Sequence, residues 1–219
     1  MQVLILDFDG TLADTRSFIV YVMQLTLAAH GLRQCTPEQC AATIGLPLPQ
    51  AFITLAGVSE EQAQQCTDTY RRIFDEKRHS GAVTLFPHVA ETLKSLYEQG
   101  YTLAIATSRG RPSLTDFLHD FGLESYISCS VCVGETLHAK PHPEPVLKIL
   151  NQLQQPPQET LVVGDTSFDI AMGRDAGCPT CGVTYGNQSR EQLKAHGADY
   201  LIDDFQDLLR IVGELSQHC

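Results

Sequence analysis

The chain opens MQVLILDFDGTLADT (residues 1–15). Val3, Leu4, Ile5 and Leu6 form an unbroken apolar run, and it stops at Asp7, Phe8, Asp9, Gly10 and Thr11. Such a run, over about residues 2–7, predicts a strand buried on both faces, as in parallel sheets. Burying two carboxylates at its end is costly unless a ligand there needs them. Open parallel sheets bind ligands at the carboxyl ends of their strands.

Outward from this strand, residues 15–31 predict a helix, with Phe18, Val22, Leu25 and Ala29 on one face and Gly31 as its stop. TPEQCAATI, LPQAFITLAG and SEEQAQQCTDTYRRIFDEKRH continue the helical pattern, and Ser59 with Gln62 has capping-box spacing. No strand is expected between about residues 15 and 82. From about residue 83 the pattern alternates. YTLAIAT, YISCSVCV, TLVVGD, CPTCGVTY and DYLI read as strands, each followed by an amphipathic helical stretch. That alternation predicts an α/β core with helices on both faces of a parallel sheet. The expected core is residues 1–14 and 83–219, interrupted by a helical domain at 15–82.

The carboxyl ends of these strands carry chemistry. Strand one ends at Asp7 and Asp9, YTLAIAT at Thr107 and Ser108, and TLVVGD at Asp165, with Asp169 four residues on. Lys140 stands in AKPHPEP before a helix. Carboxylates from separate strands gathered at one edge repel, and a hard divalent cation resolves the repulsion. Oxygen ligands with few imidazoles favour magnesium. A metal and a lysine beside carboxylates also suit a phosphoryl group. Gly10 is expected to let backbone N–H groups approach an anion closely.

With 219 residues and 43% apolar composition the chain can bury a substantial core. Its net charge of −11 disfavours a nucleic-acid partner, and no local basic patch offsets it. No apolar stretch has the length of a membrane span, and the opening run lacks the features of a signal peptide, so a cytoplasmic protein is expected. Eight cysteines include CSVC (129–132) and CPTC (178–181). Both pairs fall in strand-like segments without turn residues suited to zinc, and they read as buried small hydrophobes. His30, His138, His142 and His196 read as loop surface.

DFDGTLADT, the Thr107 strand end, KPHPEP and GDTSFD resemble, in order and spacing, the four motifs of the haloacid dehalogenase superfamily. IGLPLPQAF and AGCPTCGVTYG are similar to its phosphoglycolate phosphatase and pyrophosphatase branch. The resemblance implies a magnesium-dependent phosphohydrolase acting on a small phosphorylated metabolite through an aspartyl-phosphate, most like a phosphoglycolate phosphatase. Asp7 would be the nucleophile, and Asp9 the general acid and then the base. Magnesium would be held by Asp7, the Asp9 carbonyl and Asp165, with Asp169 behind them. Thr107 and Lys140 would hold phosphate oxygens, with Phe8, Gly10, Thr11 and Ser108 around the phosphate. Residues 15–82 would be a cap, hinged near Ser80 and Gly81. Residues 44–49 and the cluster Arg71, Arg72, Lys77 and Arg78 are its candidates for substrate contact. Arg109 has no assigned role. The second aspartate argues against carbon–halogen hydrolysis. Inorganic pyrophosphatase and a β-phosphoglucomutase-like phosphotransferase remain as enzyme alternatives. A receiver-like phospho-aspartate signalling module or a binding-only homologue is the alternative of another class.

Overall fold

A computed structural model describes residues 2–78 and 83–216. In chain order the elements are β1 (Val3–Leu6), β2 (Ala13–Asp14), α1 (Arg16–Ala29), α2 (Pro37–Ala41), α3 (Leu48–Ala56), α4 (Glu60–Lys77) and β3 (Thr84–Leu85). There follow α5 (Val89–Glu98), β4 (Thr102–Ala106), α6 (Arg111–Asp120), β5 (Ile127–Val131), α7 (Glu144–Leu153) and β6 (Thr160–Gly164). The chain closes with α8 (Ser167–Asp175), β7 (Thr180–Val183), α9 (Arg190–Ala195), β8 (Tyr200–Ile202) and α10 (Leu208–Ser216).

Six strands form a parallel sheet in the order β5-β4-β1-β6-β7-β8. β1 is central: Val3 pairs with Thr102 of β4 on one side and Thr160 of β6 on the other. The chain winds outward from β1 first through β4 and β5, then through β6, β7 and β8. The carboxyl end of β1 is therefore the switch point where such sheets bind ligands.

Alternation along the strands divides the interior in two. Val3 and Ile5 join Ala104, Ala106 and Val162 under α7 and α8, where Val146, Ile149 and Met172 pack. Leu4 and Leu6 join Leu103, Ile105, Leu161 and Val163 on the other face, in a core that continues into the helical block α1–α4. Cys129 and Cys181 lie on strands, with Cys132 and Cys178 beside them. Burial pushes the Cys178 and Cys181 thiols up to about 12.

Two features differ from expectation. The ladder β2–β3, with Ala13 opposite Leu85 and Asp14 opposite Thr84, ties together the two segments flanking the helical block. Two residues per strand are too few to leave a periodic signal. In α1 the expected stripe is displaced: Phe18 and Val22 are buried, but so are Ile19, Met23, Thr26 and Leu27, whereas Leu25 is half-buried and Ala29 exposed. The helix packs against both α2 and α4, which turns its buried face. The capping box of Ser59 and Gln62 is formed at the start of α4. The hinge expected near Ser80 and Gly81 lies outside the described residues. Among the described residues no helix is long and apolar enough to cross a membrane.

Candidate active site

The three central strands of the sheet each hand a polar residue to one edge. Asp7 follows β1, and its N–H continues the ladder to the Val163 carbonyl at 2.9 Å. Thr107 follows β4, with its N–H on the Val131 carbonyl at 3.0 Å. Asp165 follows β6, and Asp169 sits in the first turn of α8. The sheet brings one carboxylate oxygen each of Asp7, Asp165 and Asp169 within 4.8 Å of one another, and all three residues are buried. Lys140, also buried, reaches in from the loop before α7. Its Nζ stands 2.8 Å from Asp7 Oδ1 and donates to Asp169 Oδ1 at 2.6 Å.

Three carboxylates against one ammonium leave the cluster short of positive charge. Burial pushes the Asp7 carboxyl up to about 7 despite Lys140, and the neighbouring Asp169 and Asp9 add to the rise. Burial likewise pushes Asp165 up to about 8, reinforced by Asp169 and Asp7 and opposed by Asn187. Burial alone would lower Lys140, but Asp169 and Asp7 outweigh it and hold the ammonium charged. All-oxygen donors, high negative charge and close spacing fit a hard divalent cation.

Other residues fix these carboxylates. Asn187, in the loop after β7, donates its N–H and its Nδ2 to Asp165 Oδ2, both at 2.7 Å. Thr11 Oγ1 donates to Asp165 Oδ1 at 3.2 Å. Thr166 donates its N–H (3.0 Å) and its hydroxyl (2.6 Å) to Asp169 Oδ2. Tyr185 Oη donates to the Thr11 carbonyl at 2.9 Å, pinning the opening loop from outside. Asn187 and Tyr185 had no distinguishing sequence signal, because each acts through a partner distant in the chain; Thr166 could have been found from its capping-box spacing to Asp169.

The residues expected around the phosphate have the following surroundings. The Gly10 N–H donates to the Ala13 carbonyl at 2.9 Å, so it is not free for an anion. Glycine is needed there for another reason. Its φ is +80°, and a Cβ would overlap the Asp165 carboxylate and stand 2.5 Å from Asn187 Nδ2. The Thr11 hydroxyl is committed to Asp165, as given above. The Phe8 side chain is fully buried against Phe117, ring centroids 5.7 Å apart, so only its main chain can face a ligand. The Ser108 hydroxyl donates to the Gly45 carbonyl at 2.6 Å, joining this strand end to the helical block. Thr107 is buried, and its Oγ1 accepts from the Arg109 N–H at 3.2 Å.

Asp9 stands apart from the carboxylate trio. Arg109 donates through Nε to Asp9 Oδ2 at 3.1 Å and through a terminal nitrogen to Asp9 Oδ1, while its other terminal nitrogen donates to Ser113 at 2.7 Å. The guanidinium carbon lies 4.8–5.4 Å from the ring centroids of Phe8, Phe74 and Phe117. Burial would lower the Arg109 pKa, but Asp9 reverses that and raises it. Beside this pair a cavity of about 510 Å³ opens between the helical block and the core.

Of the four basic cap candidates, Arg71 alone lines that cavity. Arg72 donates to Glu76 at 2.9 Å on the exposed face of α4, and Lys77 lies over the Tyr21 ring. Arg78 pairs with Asp116 at 2.9 Å, bridging α4 to α6. Within residues 44–49, Ile44, Gly45, Leu46, Leu48 and Pro49 line the cavity. His138 and His142 stack beside Lys140, and Glu144 accepts from the Leu137 and His138 N–H groups, each at 2.9 Å. Both histidines are exposed on the loop that carries Lys140.

Comparison with known proteins agrees with this architecture. The family model for haloacid dehalogenase-like hydrolases matches residues 4–183. A protein named pyrophosphatase PpaX from Anoxybacillus flavithermus is 35% identical over 99% of both chains. PpaX from Bacillus velezensis is 33% identical over 96% of this chain and 95% of its own. Among solved structures, a haloacid dehalogenase-like hydrolase from Bacteroides fragilis is 28% identical, with a TM-score of 0.90 over 94% of this chain and 99% of its own. A protein described as a predicted phosphoglycolate phosphatase from Haemophilus somnus is 26% identical, with a TM-score of 0.87 over 97% and 98%. The chain belongs to the haloacid dehalogenase-like hydrolase family, on its phosphatase side.

Proposed function

We propose that this protein is a magnesium-dependent phosphohydrolase that cleaves a small phosphorylated metabolite through an aspartyl-phosphate on Asp7. The observation that carries the reading is the buried trio Asp7, Asp165 and Asp169 with Lys140, at the carboxyl end of the central strand. Magnesium would be held by Asp7, the Asp9 carbonyl and Asp165, with Asp169 behind them. When bound it would supply positive charge that lets an anionic nucleophile approach an anionic phosphate.

The chain's own residues do the rest. An Asp7 oxygen attacks phosphorus, and the bond from phosphorus to the leaving oxygen breaks. Lys140 holds a phosphate oxygen and balances Asp7. Thr107 and main-chain N–H groups near Phe8 and Ser108 orient the remaining oxygens. Asp9, protonated and released from at least one bond to Arg109, gives that proton to the leaving oxygen. In the second step Asp9 takes a proton from water as that water attacks the phosphorus of the aspartyl-phosphate, releasing inorganic phosphate and restoring Asp7. One carboxyl group thus serves as acid and then as base.

Residues 15–82 act as a cap over a core of residues 1–14 and 83–219. The ladder between β2 and β3 holds the two crossings together, which suits movement of α1–α4 as one body. Closure would keep bulk water from the phosphorylated intermediate. The motif residues all lie in the core, so chemistry and selectivity should be separable. The test is hydrolysis of a panel of phosphometabolites with magnesium, including phosphoglycolate, pyrophosphate and hexose phosphates. Turnover that EDTA abolishes and magnesium restores supports the reading; turnover unchanged in EDTA refutes it.

A further inference from the structure

The cavity beside Asp9 is lined by none of Asp7, Lys140, Asp165 or Asp169. On the phosphatase reading, on which this inference rests, it is room beyond the transferred phosphoryl group, on the side of the leaving oxygen. Its volume of about 510 Å³ lies within the range of small-molecule sites, roughly 300–1,000 Å³. Ile19, Met23, Ile44, Leu46, Leu48 and Phe74 give it broad apolar walls. A second phosphate is small and wholly polar, and glycolate is scarcely larger. Neither would cover those walls, and apolar lining gains from apolar contact.

The cations at this cavity are not equivalent. Arg111 is engaged with Glu135 through Nε at 2.8 Å and a terminal nitrogen at 2.6 Å. Arg71 is largely exposed, 3.9 Å from Asp68. Arg109 is buried, enclosed by three aromatic rings, and its charge is met by Asp9. Both Asp9 oxygens are engaged with it. For Asp9 to reach a leaving oxygen, at least one of those bonds must open. Opening one leaves a guanidinium donor buried among rings without a partner, while the other Asp9 bond and Ser113 keep the rest of the group in place. The exchange is relieved when an incoming anion takes the vacated donors.

We propose that this cavity receives an organic leaving group with an apolar body and an anionic end, and that Arg109 selects it by exchanging an Asp9 oxygen for that anion. Arg109 is then a specificity residue. A neutral leaving group is disfavoured because it leaves the vacated guanidinium donor without an anion to replace the Asp9 oxygen.

Phosphohexanoate and hexyl phosphate share a chain and a phosphate and differ in the terminal carboxylate. The wild type should hydrolyse phosphohexanoate with kcat/KM at least about tenfold above hexyl phosphate, and above pyrophosphate and phosphoglycolate. In Arg109→Met the carboxylate-to-neutral ratio should fall to about one, with Arg109→Lys between. Calorimetry gives a readout free of turnover: hydroxyhexanoate should bind the wild type at least about tenfold more tightly than hexanediol, and Arg109→Met should lose the difference. If Arg109→Met does not fold, Arg109→Lys carries the same comparison. A ratio near one in the wild type, a ratio unchanged by the Arg109 variants, or a preference for pyrophosphate overturns the proposal. The phosphatase reading is checked separately by p-nitrophenyl phosphate hydrolysis that Asp7→Asn abolishes. If that fails while the binding preference holds, the reading falls and the anion subsite stands.

Discussion

Two acidic regions meet at the opening loop, one through Asp7 and one through Asp9, and they are built in opposite ways. Around Asp7, Asp165 and Asp169 negative charge exceeds positive, burial is nearly complete, and backbone elements set the positions. Around Asp9 the charge is balanced by Arg109, and the guanidinium is packed by rings from the core and, through Phe74, from α4. The first region has the excess of buried carboxylates that suits a cation. The second is satisfied as it stands and must be disturbed in order to act. The proposed metal site and the proposed leaving-group site thus meet at a single short loop, through Asp7 and Asp9.

The largest effect that separates the two regions is expected at Lys140. Lys140→Met removes the one ammonium that, among the described residues, pairs with Asp7 and Asp169, and a buried pair broken from one side costs about 3–5 kcal/mol. Urea unfolding should register the loss without metal, and magnesium should recover part of it. Recovery of nothing would mean that no cation enters the trio. A smaller effect is expected at Gly10. Gly10→Ala imposes a positive φ on a residue with a side chain and pushes on Asp165, at a strain cost of about 1–3 kcal/mol. Because it displaces a proposed ligand, magnesium affinity by calorimetry should fall about 10–100-fold. Unchanged affinity would detach Asp165 from the metal. Smallest are the cap arginines. Arg71→Ala should re-rank substrates, whereas Arg72→Ala, whose partner Glu76 faces solvent, should change stability by no more than about 0.5 kcal/mol and leave the ranking alone. Equal shifts from both would deny the cavity its selective role.

The carboxylate region was more legible in the sequence than the arginine region, for a physical reason. Asp7, Thr107 and Asp165 each follow a strand whose apolar run is visible in one dimension, and parallel strands bring their ends to one edge. The helical block between Asp14 and Thr84 was legible from its uninterrupted period. Arg109 follows Thr107 by two residues, yet nothing local says that it turns toward Asp9 or that Phe74 closes over it. Asn187 sits in a polar loop like many others, and its hold on Asp165 exists only once β6 and β7 are paired. Gly10 stands out in the sequence, but the carboxylate of Asp165 packed against it, which a Cβ would overlap, could not be read there. The ladder between β2 and β3 was hidden by its brevity.

The most direct test is to stop the reaction between its two steps. Asp9→Asn lacks the group proposed to activate water, so a phosphoryl group transferred from an activated ester such as p-nitrophenyl phosphate should persist on the protein. After magnesium-dependent reaction and an acid quench, peptide mapping by mass spectrometry should find the phosphoryl group on Asp7, and Asp7→Asn should carry none. Phosphate on another side chain, or substrate consumed by the wild type while neither it nor Asp9→Asn ever carries phosphate on Asp7, would contradict the aspartyl-phosphate route.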